Sequence, residues 1–166
     1  MPPPVFVPGQ VLNADDVNQW LQPLVAYKSS DLGRNTTSQT ADPDLVIPVQ
    51  ANGIYRVTAT LFYKISSTAG TDFTWTWTIP AGTAAGIYYT QYLGGGGGFV
   101  TEANLWTDAP HNADAGVVGT IYGISIEGTL AVGGTAGNFV LNWAANSATP
   151  VTTLTARSII SLQRSG

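Results

Sequence analysis

Asp72-Phe73-Thr74-Trp75-Thr76-Trp77-Thr78-Ile79 alternates large apolar with small polar side chains. Successive side chains of a strand point to opposite faces, so this period of two places Phe73, Trp75, Trp77 and Ile79 on one face and Asp72 with the three threonines on the other. The segment Ile54–Ile65 repeats the pattern, with Tyr55, Val57, Ala59, Leu61, Tyr63 and Ile65 on one side and Arg56, Thr58, Thr60 and Lys64 on the other. An Asn52-Gly53 turn signal precedes it, which makes Leu45–Val49 the strand leading in.

Further short runs follow at Ile121–Glu127, Thr129–Val132, Phe139–Trp143, Val151–Thr155 and Ser158–Arg164, separated by Gly-Gly, Asn-Ser or Pro punctuation. About eight strands with no helix between them predict an all-β fold, an antiparallel β-sandwich or jelly roll. The middle is weakly patterned. Gly94–Gly98 is five glycines in a row, with Tyr88, Tyr89 and Tyr92 before it and Phe99 after it. No GK[ST] or helix pattern follows, so the run reads as a flexible loop or a close backbone approach and not as a phosphate loop.

Composition narrows the function. The 166 residues fit one domain that buries roughly 70% of its unfolded surface. With no cysteine, disulfides, thiolate catalysis and Cys-based zinc sites are excluded. No basic leader and no long apolar run appear, so a soluble, unprocessed chain without membrane insertion is expected. Six basic residues against ten acidic ones form no cationic patch, which argues against nucleic-acid binding. Charged residues are only 10% of the chain, and its polarity comes largely from 21 threonines. Such a low charge fraction in an ordered chain suggests surface given over to subunit contacts, since obligate interfaces resemble domain cores.

Chemistry-bearing constellations are few. His111 lies within Asp108-Ala-Pro-His-Asn-Ala-Asp114, read as a surface loop whose Asp and Asn cap turns in place of binding metal, and Asp42-Pro-Asp44 reads the same way. Glu102 and Glu127 are the only glutamates, and no G-x-S-x-G elbow occurs. No enzyme, cofactor or metal site is expected. Tyr88, Tyr89, Tyr92 and Trp106 are candidate glycan contacts if exposed, although strand aromatics more commonly fill a core.

The N-terminus differs from the rest. Asn13 is a good N-cap, Asp15 and Asp16 suit the first turn, and Val17, Trp20, Leu21 and Leu24 follow i, i+3, i+4, i+7 spacing up to Pro23. So short an amphipathic helix must bury its apolar face against its own domain, a sister chain or a larger host structure. Pro2, Pro3, Pro4 and Pro8 stiffen the preceding arm. Residues 1–30 thus read as arm and helix and 31–166 as the β domain. The candidate anchoring residues are Phe6, Val7, Val11, Leu12, Val17, Trp20, Leu21 and Leu24.

The run from Phe6 to Leu21, FVPGQVLNADDVNQWL, resembles the opening of small virion proteins of tailed phages infecting actinobacteria, of the form F-V-x-G-x-V-L-T-A-x-D-V-N-x-W-L, with Asn13 where threonine is usual. Leu141-Asn-Trp-Ala-Ala-Asn146, Val151–Ala156 and Ser158–Arg164 resemble their ending, while the middle of the chain is unmatched. The resemblance implies a virion structural protein whose N-terminal segment docks on the particle while a trimeric jelly roll projects outward. Its partners would be sister chains and the major capsid or tail proteins. A head position would make it a decoration or head-fibre protein, and a tail position a minor tail protein. A carbohydrate-binding module attaching to host-surface glycan is the alternative.

Overall fold

The computed structural model describes residues 7–9, 11, 14, 22–67, 73–83, 86–93, 98–115, 117–148 and 151–165. They form twelve strands: β1 (Leu24–Tyr27), β2 (Leu32–Arg34), β3 (Thr40–Val49), β4 (Ile54–Ile65), β5 (Phe73–Thr78), β6 (Ile87–Leu93), β7 (Phe99–Leu105), β8 (His111–Ala113), β9 (Tyr122–Ala131), β10 (Gly137–Ala145), β11 (Thr152–Leu154) and β12 (Ile159–Arg164).

The pairing is nested. β3 pairs with β10, β4 with β9, β5 with β8 and β6 with β7, all antiparallel. The chain from β3 to β10 is therefore one long hairpin, doubled at the β6–β7 connection and rolled so that β3-β10-β5-β8 forms one sheet. β4-β9-β6-β7 lies in the other, which continues past β4 through β12 to β1, with β11 and β2 branching off β4. This is a jelly roll, the sandwich that the strand spacing predicts. The glycine run falls at the doubling point, between the paired Leu93 and Phe99.

Alternation decides what is buried. All six inward residues of β4 are buried, and five of them, Tyr55, Val57, Ala59, Leu61 and Tyr63, share one core between the sheets with the rings of Phe73, Trp75 and Trp77. Rings interleave there: Trp77 stacks on Phe139 at 4.7 Å and Tyr88 on Trp106 at 4.3 Å between centroids. Asn52 adopts φ 57° in the turn before β4, a conformation that asparagine tolerates. The two predicted segments 121–127 and 129–132 are one strand, β9, because Gly128 does not break it. A Cβ at Gly128 would sit 2.5 Å from Tyr88 Cβ, so the glycine there allows β6 and β9 to approach.

Three expectations change. Leu24 is the first residue of β1, paired with Leu162, and not the last turn of a helix; a residue beside β12 gains ladder hydrogen bonds that a fraying helix end lacks. The rest of the predicted helix, Ala14 and Gln22–Pro23 apart, lies outside the described residues, as do Phe6, Leu12, Val17, Trp20 and Leu21.

Asp42-Pro-Asp44 is not a surface loop but part of β3, with Asp42 fully buried. Between the pairs Val46–Val140 and Ala41–Asn142, four residues of β3 oppose the single Leu141, and this bulge accommodates Pro43. His111 likewise lies in a strand, β8, opposite Trp75.

Candidate functional site

The outer face of the larger sheet carries an open groove. Arg56 of β4, Glu127, Gly128 and Thr129 of β9, and Ile87 and Tyr89 of β6 line a groove of about 560 Å³. Register builds it: Tyr89 lies opposite Glu127, and Arg56 opposite Thr129. The Arg56 guanidinium donates to Glu127 Oε1. Tyr89 is 61% exposed, and Ile87 beside it is also exposed. A smaller groove of about 190 Å³ continues the face through Gln91, Thr101 and Ser125, sharing Tyr89 and Glu127. An apolar ring flanked by a fork of donors, a carboxylate and short hydroxyls has the groups needed to hold a polyhydroxylated ligand.

Of the four aromatic candidates, the three tyrosines of β6 separate by strand parity. Tyr89 faces out, whereas Tyr88, Tyr92 and Trp106 are buried, which corrects the expectation that they could form one exposed platform. Adjacent tyrosines in a strand point to opposite faces, so Tyr88 and Tyr89 never share a surface. Trp106 plugs the core from the turn after β7, with its indole N–H donating to the Thr129 carbonyl at 2.6 Å. Asp108 caps that turn by accepting from the Leu105 amide at 2.6 Å.

The titratable residues of the middle segment are dispersed. Glu102 pairs with the buried Thr90 and so points to the inner side of its sheet, while Glu127 points outward. The two carboxylates therefore do not converge. His111 packs against Trp75, 5.5 Å between ring centroids; burial lowers its pKa, opposed by Glu102 and Asp108. Burial also raises the pKa of Tyr88. Among the described residues no group of three His, Asp or Glu is placed to hold a metal ion.

Of the anchoring candidates that are described, Val7 and Val11 are exposed and Leu24 borders a groove of about 230 Å³ with Pro48, Val49 and Tyr55. Sequence reasoning left Arg56, Ile87 and Thr129 out of any site. The alternation in β4 already turned Arg56 outward, but only the pairing of β9 with β4 and β6 brings it to Glu127 and Tyr89.

No family model matches the sequence, and no curated protein matches it. Among solved structures, the chain is similar to the tripod (BppUct-A-L) from the baseplate of bacteriophage Tuc2009, with TM-score 0.37 and 13% identity over 97% of this chain and 73% of that one. It is also similar to a chain of infectious bursal disease virus Gx strain (TM-score 0.26, 12% identity, 100% and 42% covered). For the VP2 subviral particle of infectious bursal disease virus the values are 0.23, 14%, 98% and 44%. The chain spans less than half the length of these last two.

Proposed function

We propose that the chain is a non-enzymatic structural protein of a virus particle, docked through its N-terminal arm with the jelly roll projecting from the outer surface of capsid or tail as a homotrimer. The observation that carries this reading is where the arm leads. Phe6–Leu21, whose residues resemble the opening of small phage virion proteins, runs directly into β1, an edge strand that pairs with β12 alone among the described strands. On β1 the small Ala26 is buried while Val25 and Tyr27 are about half exposed, the reverse of a strand facing water. The low charge fraction supports the same reading, since surface in subunit contacts excludes charge.

Light scattering at several concentrations tests the assembly: a concentration-independent trimer is expected, and a monomer throughout overturns it. For docking, a chain lacking residues 1–22 should stay folded and be missing from purified particles. Its incorporation at the level of the full chain would refute the arm as anchor.

A second reading, binding of host-surface glycan, is favoured by the exposed Tyr89 beside the Arg56–Glu127 pair. Titration with soluble cell-wall polysaccharide should give binding that Tyr89→Ala abolishes; equal binding by that variant removes the groove from consideration.

A further inference from the structure

Only two lysines occur in the chain, and one of them, Lys28, is 1% exposed immediately after β1. Its ammonium lies 3.0 Å from Asp42 Oδ2, 3.2 Å from Asp42 Oδ1 and 3.2 Å from Asp44 Oδ2. Asp42 is fully buried and Asp44 partly so. Asp42 is also held by three other donors: the backbone amides of Asp44 (3.0 Å) and Leu45 (3.2 Å) on Oδ1, and Trp143 Nε1 (2.9 Å) on Oδ2. The Arg34 guanidinium lies over the Trp143 ring, 4.1 Å from its centroid. An ion pair this deep carries a desolvation penalty that its own attraction repays poorly.

We propose that Lys28 and Asp42 condense to an intramolecular amide, a covalent link between the first strand of one sheet and the first strand of the other. Each group present has a part. Asp42 Oδ2 takes a proton from the ammonium, 3.0 Å away, leaving a neutral amine against the Cγ of a neutral carboxyl group. The Nζ–Cγ bond forms, and the negative charge develops on Oδ1 between the two backbone N–H groups, which act as an oxyanion hole. Asp44, the second carboxylate on Nζ, carries one of the two remaining nitrogen protons to Oδ2, which then holds two, while the other stays on the amide nitrogen. The Cγ–Oδ2 bond then breaks and water leaves. An ammonium and a carboxylate become one neutral amide and one water, with no oxidant or cofactor required. Fixed contact replaces a bimolecular encounter, equivalent to effective concentrations of roughly 10⁵ M or more. The product removes the buried charges and keeps Trp143 Nε1 and the two amides near the acyl group. Asp44 is unconsumed, and its partial exposure opens a path for the water. This single-turnover reaction stands independently of the virion reading. If that reading holds, the link would pass any pull on the arm from β1 directly to β3.

Intact mass spectrometry of the full chain, denatured after prolonged incubation in the folded state, tests it. The expected mass is one water below that of the sequence, with peptide mapping joining the Lys28 and Asp42 peptides and Lys28→Arg restoring the full mass. Asp44→Ala, which leaves the Lys28–Asp42 contact in place, should slow or abolish the loss in a chain of unchanged circular dichroism. A folded wild-type chain at full mass refutes the proposal, as does a water loss that survives Lys28→Arg or maps elsewhere. A loss as fast in Asp44→Ala as in the wild type would overturn the role given to Asp44.

Discussion

Replacing Trp106 with alanine separates a core residue from a ligand platform, because the two roles differ in what they cost. Trp106 is 1% exposed, stacks on Tyr88 at 4.3 Å and meets Trp77 and Phe139 edge-on at 5.5 and 5.2 Å. A buried tryptophan covers roughly 200 Å², about 5 kcal/mol at 25 cal/mol per Å². Residual compactness of the unfolded chain reduces this to about 3–4.5 kcal/mol. Losing the indole N–H adds roughly 1 kcal/mol or more by leaving the Thr129 carbonyl without its donor. The expected loss is about 4–5 kcal/mol, in line with large aromatic deletions in cores. In a chain of this length that lowers Tm by roughly 8–20 °C. Trp106→Phe keeps most of the ring and should cost about 1–3 kcal/mol, chiefly through the unpaired carbonyl. Urea unfolding followed by far-UV circular dichroism measures both. A loss below about 1 kcal/mol for Trp106→Ala would mean that the β7–β8 turn does not seal the core, and would return Trp106 to the list of surface ligands.

The same assay should give the opposite result on the outer face: Tyr89→Ala and Glu127→Gln are expected to change stability by no more than about 0.5–1 kcal/mol, as for exposed side chains and exposed ion pairs. Burial holds the folded pKa of His111 below the ordinary histidine value of about 6.5. The unfolded chain therefore binds more protons in that window, and stability should fall as pH drops through 6.5 and recover as it rises. Comparing the slope of stability between about pH 5 and 7.5 with that of His111→Gln checks this, the variant being expected to flatten it. A chain beginning at Leu24 should fold with near-native cooperativity, whereas one beginning at Ser29 loses β1 and Lys28 together and should be strongly destabilised, as circular dichroism and thermal melts would report.

Legibility in the sequence follows the contrast between a strand's two faces. β4, β5 and β10 are readable because large apolar residues alternate with threonine, arginine or asparagine. β6 escapes because Tyr88 points in and Tyr89 points out, so hydropathy is high on both faces. β1 escapes because its inward residue is the small Ala26 and its outward ones are Val25 and Tyr27. β2 and β8 have only three residues each and present no period. The groove at Tyr89 was half visible: parity turns Arg56 outward, but nothing local says which strand lies beside it.

The amino-acid order alone determined that this is a β protein with one core, which side of each long strand enters it, and that cysteine chemistry is excluded, since these depend on period and composition within a few residues. Only the tertiary structure decided that β3 to β10 roll up as a nested hairpin, that three of the four candidate aromatics are interior, and that Lys28 and Asp42 meet across two sheets. Those outcomes depend on strand register between segments 14 to more than 100 residues apart, and register is set by how all the faces pack at once, which no single stretch of sequence encodes.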